Sequence, residues 1–311
     1  MTDVVARRYD GRVTKAPPRP ETVSHPETAW HAAGTMLPCV GGRVFVRTEG
    51  DVHARPPTLL LHGFPTSSYD YVRAWSRLPP PLVALDFLGF GMSDKPKDHG
   101  YGIFEHADVI LEVLSALSIP AVHLVAHDMA LSVAAELFAR RERRLLPVEL
   151  LSATLSNGGA FADMARLEPA QHLLMSPLGG ALARLSSERA FRHALRRLVA
   201  EPEAIEPGEL RTLWALFARA DGARIAARTI GYVEERRRFA ARWQGALERL
   251  ELPTLVLWGA KDPVAALAVG ERLATTVRGA TLRVLTHLGH YPQLEGPDAF
   301  AGAVADFLRD L

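Results

Sequence analysis

Short apolar runs recur along the chain from Trp30 onward. They are GRVFVRTE (42–49), TLLLHG (58–63), LVALDF (82–87), AVHLVAH (121–127), ELLSATLSN (149–157), PTLVLWG (253–259) and TLRVLT (281–286). Several are continuously apolar and end in Gly, Asp, Asn or His, as strands buried on both faces of a parallel sheet do. Between them, IFEHADVILEVLSALS (103–118), MALSVAAELFARR (129–141) and AFAGAVADFLRD (299–310) carry apolar residues at three- and four-residue spacing, which predicts helices. Alternating strand and helix predicts an α/β chain on a mostly parallel, doubly wound sheet. The first two runs are joined by a short polar loop and predict an antiparallel start to that sheet.

Two stretches break the alternation. Residues 1–29 are polar and proline-bearing, and read as an arm outside the core. Residues 158–250 are rich in Ala, Leu and Arg, carry helical patterns throughout and hold no convincing strand. That is too long for one crossover. The expected organisation is therefore a core of 30–157 and 251–311 with a helical cap, 158–250, inserted between two core strands. The basic run EERRRFAARW (234–243) reads as a solvated helix face.

Composition narrows the function. The 311 residues carry a formal net charge of +1, so no global charge argues for nucleic acid or an anionic surface. The single cysteine, Cys39, excludes a disulfide framework and a zinc–cysteine site, and no metal or cofactor is expected. No stretch approaches the ~20 apolar residues of a membrane-spanning helix. The N-terminal residues have no apolar core of a signal peptide, so the expected location is cytoplasmic.

Four segments carry candidate chemistry. In VHLVAHDMALSVAAEL, Asp128 stands between a buried strand and an amphipathic helix, where a nucleophile elbow would lift one side chain above the sheet. Small residues must flank such an elbow, and Ala126 and Ala130 do, although glycine is the usual residue at the second position. The alternative reading makes Asp128 a helix N-cap. In LHGFPTSSYDY, His62 and Gly63 let the loop pass close to the site. The N–H groups of Phe64 and Met129 are candidate oxyanion-hole donors. Asp262 in LWGAKDPV lies past a strand end, where open α/β sheets place functional residues. His290 in THLGHYPQLEGP precedes the last helix and is preferred over His287, which is nearer the strand. The order nucleophile, acid, histidine is the one an α/β-hydrolase sheet requires.

Taken together, HGFPTSSYDY, LDFLGFGMSDKP, AHDMA, WGAKDPV and GHYPQLE resemble the epoxide hydrolase and haloalkane dehalogenase branch of the α/β-hydrolases, over nearly all of residues 30–311. Within it the chain is most similar to the mesoderm-specific transcript group, which shares SNGGAF (156–161), YVEERRRFAARWQGAL (232–247) and the Asp-Gly pair 221–222. The resemblance implies an α/β-hydrolase fold with an inserted cap and displacement at saturated carbon by Asp128. An ester would form on the enzyme and be hydrolysed by water that His290 activates, with Asp262 orienting the imidazole. In epoxide hydrolases a cap tyrosine protonates the leaving alkoxide, and Tyr232 matches; such enzymes commonly use two, and 158–250 offers no second. Haloalkane dehalogenases typically carry Trp after the nucleophile and often Asn after His-Gly, where this chain has Met129 and Phe64. The leading expectation is epoxide hydrolysis of a small apolar substrate with water as co-substrate. The rivals are a haloalkane or haloacid dehalogenase using Trp214 or Trp243, a lipid-like ester hydrolase or acyltransferase, and a non-catalytic ligand-binding member of the fold. Phe64, Met129, Phe161 and Leu288 are expected near the pocket, and an oligomer is compatible with the sequence.

Overall fold

The computed structural model describes residues 29–164, 166–183 and 186–311. Apart from Ala29, the expected polar arm lies outside the described residues. One sheet runs through the molecule. Its strands are β1 (Gly34–Cys39), β2 (Gly42–Glu49), β3 (Thr58–Leu61), β4 (Leu82–Leu85), β5 (Ala121–His127), β6 (Glu149–Ser156), β7 (Thr254–Gly259) and β8 (Thr281–Leu285). Their spatial order is β1-β2-β4-β3-β5-β6-β7-β8. β1 pairs antiparallel with β2, β2 antiparallel with β4, and the remaining pairs are parallel.

The antiparallel start is present, but its partners differ from the expected ones. β2 does not pair with β3, because β4 comes between them. β3 is a four-residue apolar strand buried at every position and takes parallel neighbours on both edges, β4 on one and β5 on the other. The edge strand β1 had no sequence signal. GTMLPC contains a proline and no apolar alternation, and it is a strand only because β2 pairs along it. The helix Leu267–Thr276 was also not legible, because its buried face is short and includes Gly270 between Val269 and Leu273.

Successive strand residues feed opposite faces of the sheet, as a period of two demands. Leu59 and Leu61 enter one buried cluster, with the helices Ile103–Ala116 and Met129–Glu142. Leu60 enters the other, with Tyr71, Trp75 and the closing helix Pro297–Arg309. Between β6 and β7 the described residues form helices and no strand, the last two helices being Tyr232–Arg238 and Ala240–Glu248. The basic run within them is not simply a solvated face. Arg237 and Arg238 are exposed, but Arg236 and Arg242 turn inward. Arg242 donates to the buried Glu136 carboxylate at 2.7 and 3.0 Å, and the Trp243 indole N–H adds a third bond at 2.9 Å. A carboxylate taken out of water needs such donors, and these tie the insertion to the core.

Candidate active site

β5 ends at His127 and the next helix begins at Met129, so the chain turns on Asp128 alone. Asp128 takes φ 52° and ψ −114°, a conformation costing of order 1–3 kcal/mol for a residue with a side chain. The flanking Ala126 and Ala130 are fully buried, so alanine is small enough at both places for the tight turn. The turn is held by Asp128 N–H donating to Ser156 O at 3.1 Å. The Asp128 side chain does not cap the helix. Instead its Oδ2 accepts the Phe64 N–H at 2.8 Å. The loop comes this close because residue 63 is glycine; a Cβ there would sit 2.5 Å from the Asp128 Cβ and 2.6 Å from its Oδ2.

His290 faces Asp128 from the loop after β8. Its Nδ1 lies 2.7 Å from Asp262 Oδ2, and its Nε2 lies 4.0 Å from Asp128 Oδ1. A carboxylate only accepts, so Nδ1 carries the proton and Nε2 is turned to Asp128. Asp262 is itself fixed. Its Oδ1 accepts the N–H groups of Val264 and Ala265 at 2.8 and 2.9 Å, and Asn157 Nδ2 donates to its Oδ2 at 2.8 Å. Asn157 follows the last residue of β6, and nothing in the sequence singles it out. Its Oδ1 also accepts the Gly259 N–H at 2.9 Å, so one amide links β6, β7 and the acid. His287 is exposed. Burial pushes the His290 imidazolium down, but the Asp262 carboxylate, by charge and hydrogen bond, and Asp128 outweigh it and hold His290 up at about 9.

The remaining candidates fall in different places. The His62 ring accepts the Phe87 N–H at 3.0 Å on Nε2, so Nδ1 donates to Gly63 O at 2.8 Å. Both nitrogens are thus committed to backbone: His62 braces the loop and is not on the cavity wall. Trp214 packs against Phe191 and Phe217, at 5.6 and 5.7 Å between ring centres, and these two rings rather than Trp214 line the cavity. Trp243 spends its N–H on Glu136. Met129 opens its helix, where N–H groups have no intrahelical acceptor, while its side chain is buried in the core.

A cavity of about 370 Å³ opens on Asp128 and His290, with walls of Phe64, Leu174, Phe191 and Leu195 among others. A smaller cleft of about 30 Å³ adjoins Asp128 on another side, between Phe161, Gln171, Tyr232 and Arg236. Phe64 and Phe161 therefore line the site as expected, whereas Met129 and Leu288 do not. The Leu288 side chain is occupied against Gly296, where a Cβ would come within 2.6 Å of it. Tyr232 is buried with its ring 6.0 Å from that of Phe64. Burial, and then Asp128, push its phenol up, while Arg236 works in the opposite direction.

Known proteins share this architecture. Residues 56–297 match the family profile described as the alpha/beta hydrolase fold. LipZ of Mycobacterium tuberculosis, whose designation as a hydrolase is itself provisional, is 40% identical over 283 residues, covering 90% of this chain and 97% of that protein. The human mesoderm-specific transcript homolog protein is 34% identical over 295 residues, covering 90% of this chain and 87% of its own length. A haloalkane dehalogenase DbeA variant from Bradyrhizobium elkanii superposes with a TM-score of 0.75 at 22% identity, covering 89% of this chain and 96% of its own, a likeness of fold alone. A fold that turns on one strained residue between β5 and its helix, and relatives aligned over most of their length, agree on one conclusion: this chain is a hydrolase of the α/β-hydrolase fold family, similar to the mesoderm-specific transcript proteins.

Proposed function

We propose that this hydrolase opens epoxides through an ester on Asp128. One observation carries the reading: the elbow carboxylate caps no helix and is instead held at Oδ2 by the Phe64 N–H, with Oδ1 facing the His290 imidazole. A carboxylate in that position displaces a leaving group at saturated carbon. Oδ1 attacks an epoxide carbon, the C–O bond breaks, and the alkoxide takes its proton from Tyr232. Oδ2, already on an N–H donor, becomes the ester carbonyl oxygen. His290 Nε2 then takes a proton from water. The resulting hydroxide attacks the ester carbon, and the developing oxyanion is stabilised by the Phe64 and Met129 N–H groups. Collapse releases a diol and restores the carboxylate.

The charge arithmetic supports this order of events. With Asp128 ionised, His290 is held up at about 9 and is an imidazolium at neutral pH. Esterification removes the Asp128 charge and with it part of what holds the proton on. The base is therefore released at the step that needs it. The apolar cavity suits a small organic substrate with water as the second reactant. A halide leaving group is less well served, since Trp214 is off the wall and Trp243 is bonded to Glu136. A single turnover of an epoxide such as styrene oxide in heavy-oxygen water tests the reading. The label should appear in the Asp128 peptide and not in the first product, whose new oxygen comes from the aspartate. Label in the first product with none in the peptide would replace covalent catalysis by general-base catalysis.

A further inference from the structure

Two sequence signatures of the insertion, SNGGAF (156–161) and YVEERRRFAARWQGAL (232–247), meet at one side chain, Arg236. It is only 7% exposed. Its Nε donates to Ser132 Oγ at 2.9 Å, and that hydroxyl in turn donates to Gly159 O at 3.3 Å. The guanidinium fits there because residue 159 has no side chain; a Cβ at Gly159 would lie 2.0 Å from Nη1. Its central carbon stands 5.1 Å from the centre of the Tyr232 ring, one helical turn back. Nη2 is buried with no partner. Among the described residues no carboxylate forms an ion pair with Arg236. A buried guanidinium without a counter-ion is costly, so packing alone does not account for it. Tyr232 and Arg236 both line the cleft that reaches Asp128.

We infer that Arg236 is a positioning residue for Tyr232: it donates to the phenolic oxygen, leaves the hydroxyl hydrogen to the cleft beside Asp128, and carries the negative charge left when that hydrogen departs. The inference rests on the epoxide reading for its chemistry. The Tyr232 O–H bond breaks, the proton goes to the oxygen released from carbon, and the electron pair stays on the phenolate beside Arg236. Once ester formation removes the Asp128 charge, the His290 imidazolium returns a proton to the phenolate and is left neutral to take one from water, which restores the imidazolium as Asp128 is freed. A lone tyrosine in an apolar cleft beside a carboxylate is a weak acid, and a charge-assisted hydrogen bond on its oxygen corrects that. Arg236 thus fills the place of a second tyrosine. The charged groups that line the cleft with Tyr232 are Asp128 from the elbow, Arg236 from its own helix and the exposed Arg166.

The test places 3,5-difluorotyrosine at position 232 in the full chain and follows phenolate absorbance against pH. Arg236→Gln should raise the midpoint by at least about one pH unit, a tenfold loss of acidity, and Arg236→Lys should recover part of it. In the otherwise unsubstituted protein, the Arg236 guanidinium ¹⁵N signals should move with the same midpoint, a reading that needs no variant to fold. Equal midpoints in a folded Arg236→Gln protein, or unmoved guanidinium signals, overturn the pairing. These readings involve no substrate, so they stand apart from any failure of the epoxide reading. With substrate, Arg236→Gln should slow ester formation from an epoxide at least about tenfold and leave it within about twofold for an alkyl bromide, whose leaving group needs no proton. Equal slowing of both, or of neither, would reject the positioning role.

Discussion

Replacing Asp128 with asparagine removes one negative charge 4.0 Å from His290 Nε2 and changes almost no volume. At an effective dielectric constant of about 20, a unit charge at that distance is worth roughly 4 kcal/mol, or about three pH units on a titration midpoint. That is an upper limit, because Asp128 retains some contact with solvent and Asp262 continues to hold the imidazolium. The His290 midpoint should therefore drop from about 9 to between about 6 and 8 in Asp128→Asn. The measurement is a ¹⁵N–¹H titration of the imidazole in histidine-labelled protein, across the neutral and alkaline range. It imitates esterification, which also neutralises Asp128. A midpoint within half a unit of the unsubstituted protein would refute the idea that ester formation frees the base. The same pair sets a stability window. His290 is raised on folding, so its contribution is fully present below the ordinary histidine value of about 6.5 and is lost as pH rises through about 9.

Asp128→Ala should keep the fold and abolish turnover; more than about a tenth of the original kcat would remove Asp128 as the nucleophile. Asn157→Ala leaves the Gly259 N–H without its acceptor and Asp262 Oδ2 with His290 as its one remaining side-chain donor, and should cost about 1–3 kcal/mol in urea unfolding together with a marked loss of kcat. Burial lowers His127 to about 4 and His106 to about 3, so the folded protein keeps both neutral where the unfolded chain would bind protons. Stability should accordingly fall as pH drops from about 6.5 toward 4, by roughly 3 kcal/mol per histidine, and His106→Gln should flatten the slope measured by denaturant titration. Trp214→Phe should leave kcat/KM for an epoxide or a bromoalkane within about threefold; a large loss with the bromoalkane alone would place Trp214 on a halide.

Much of this molecule was written locally. Seven of the eight described strands were marked by short apolar runs, several of them continuous, and a strand buried on both faces needs nothing more than such a run to be recognised. Asp128, Asp262 and His290 could be singled out as candidates because each follows a strand, at the end of the sheet where open α/β sheets place functional residues, and the fold brings the three together. What the sequence could not carry is whatever depends on a distant partner. β1 is a strand only through β2, and β4 separates β2 from β3 because an inner strand requires both edges filled. Asn157 is only the last residue of an apolar run in the sequence, since nothing local reveals that its amide spans Gly259 and Asp262. The basic run looked like a solvated face because a count of arginines cannot say which of them meets Glu136 or enters the gap left by Gly159. His62 carried a site motif, yet its two nitrogens are consumed by the Phe87 and Gly63 backbone, a fact of hydrogen-bond geometry in three dimensions. Burial and pairing are properties of contacts between remote residues. They, rather than residue type, decide which polar side chains are left to act on a substrate and which hold the chain together.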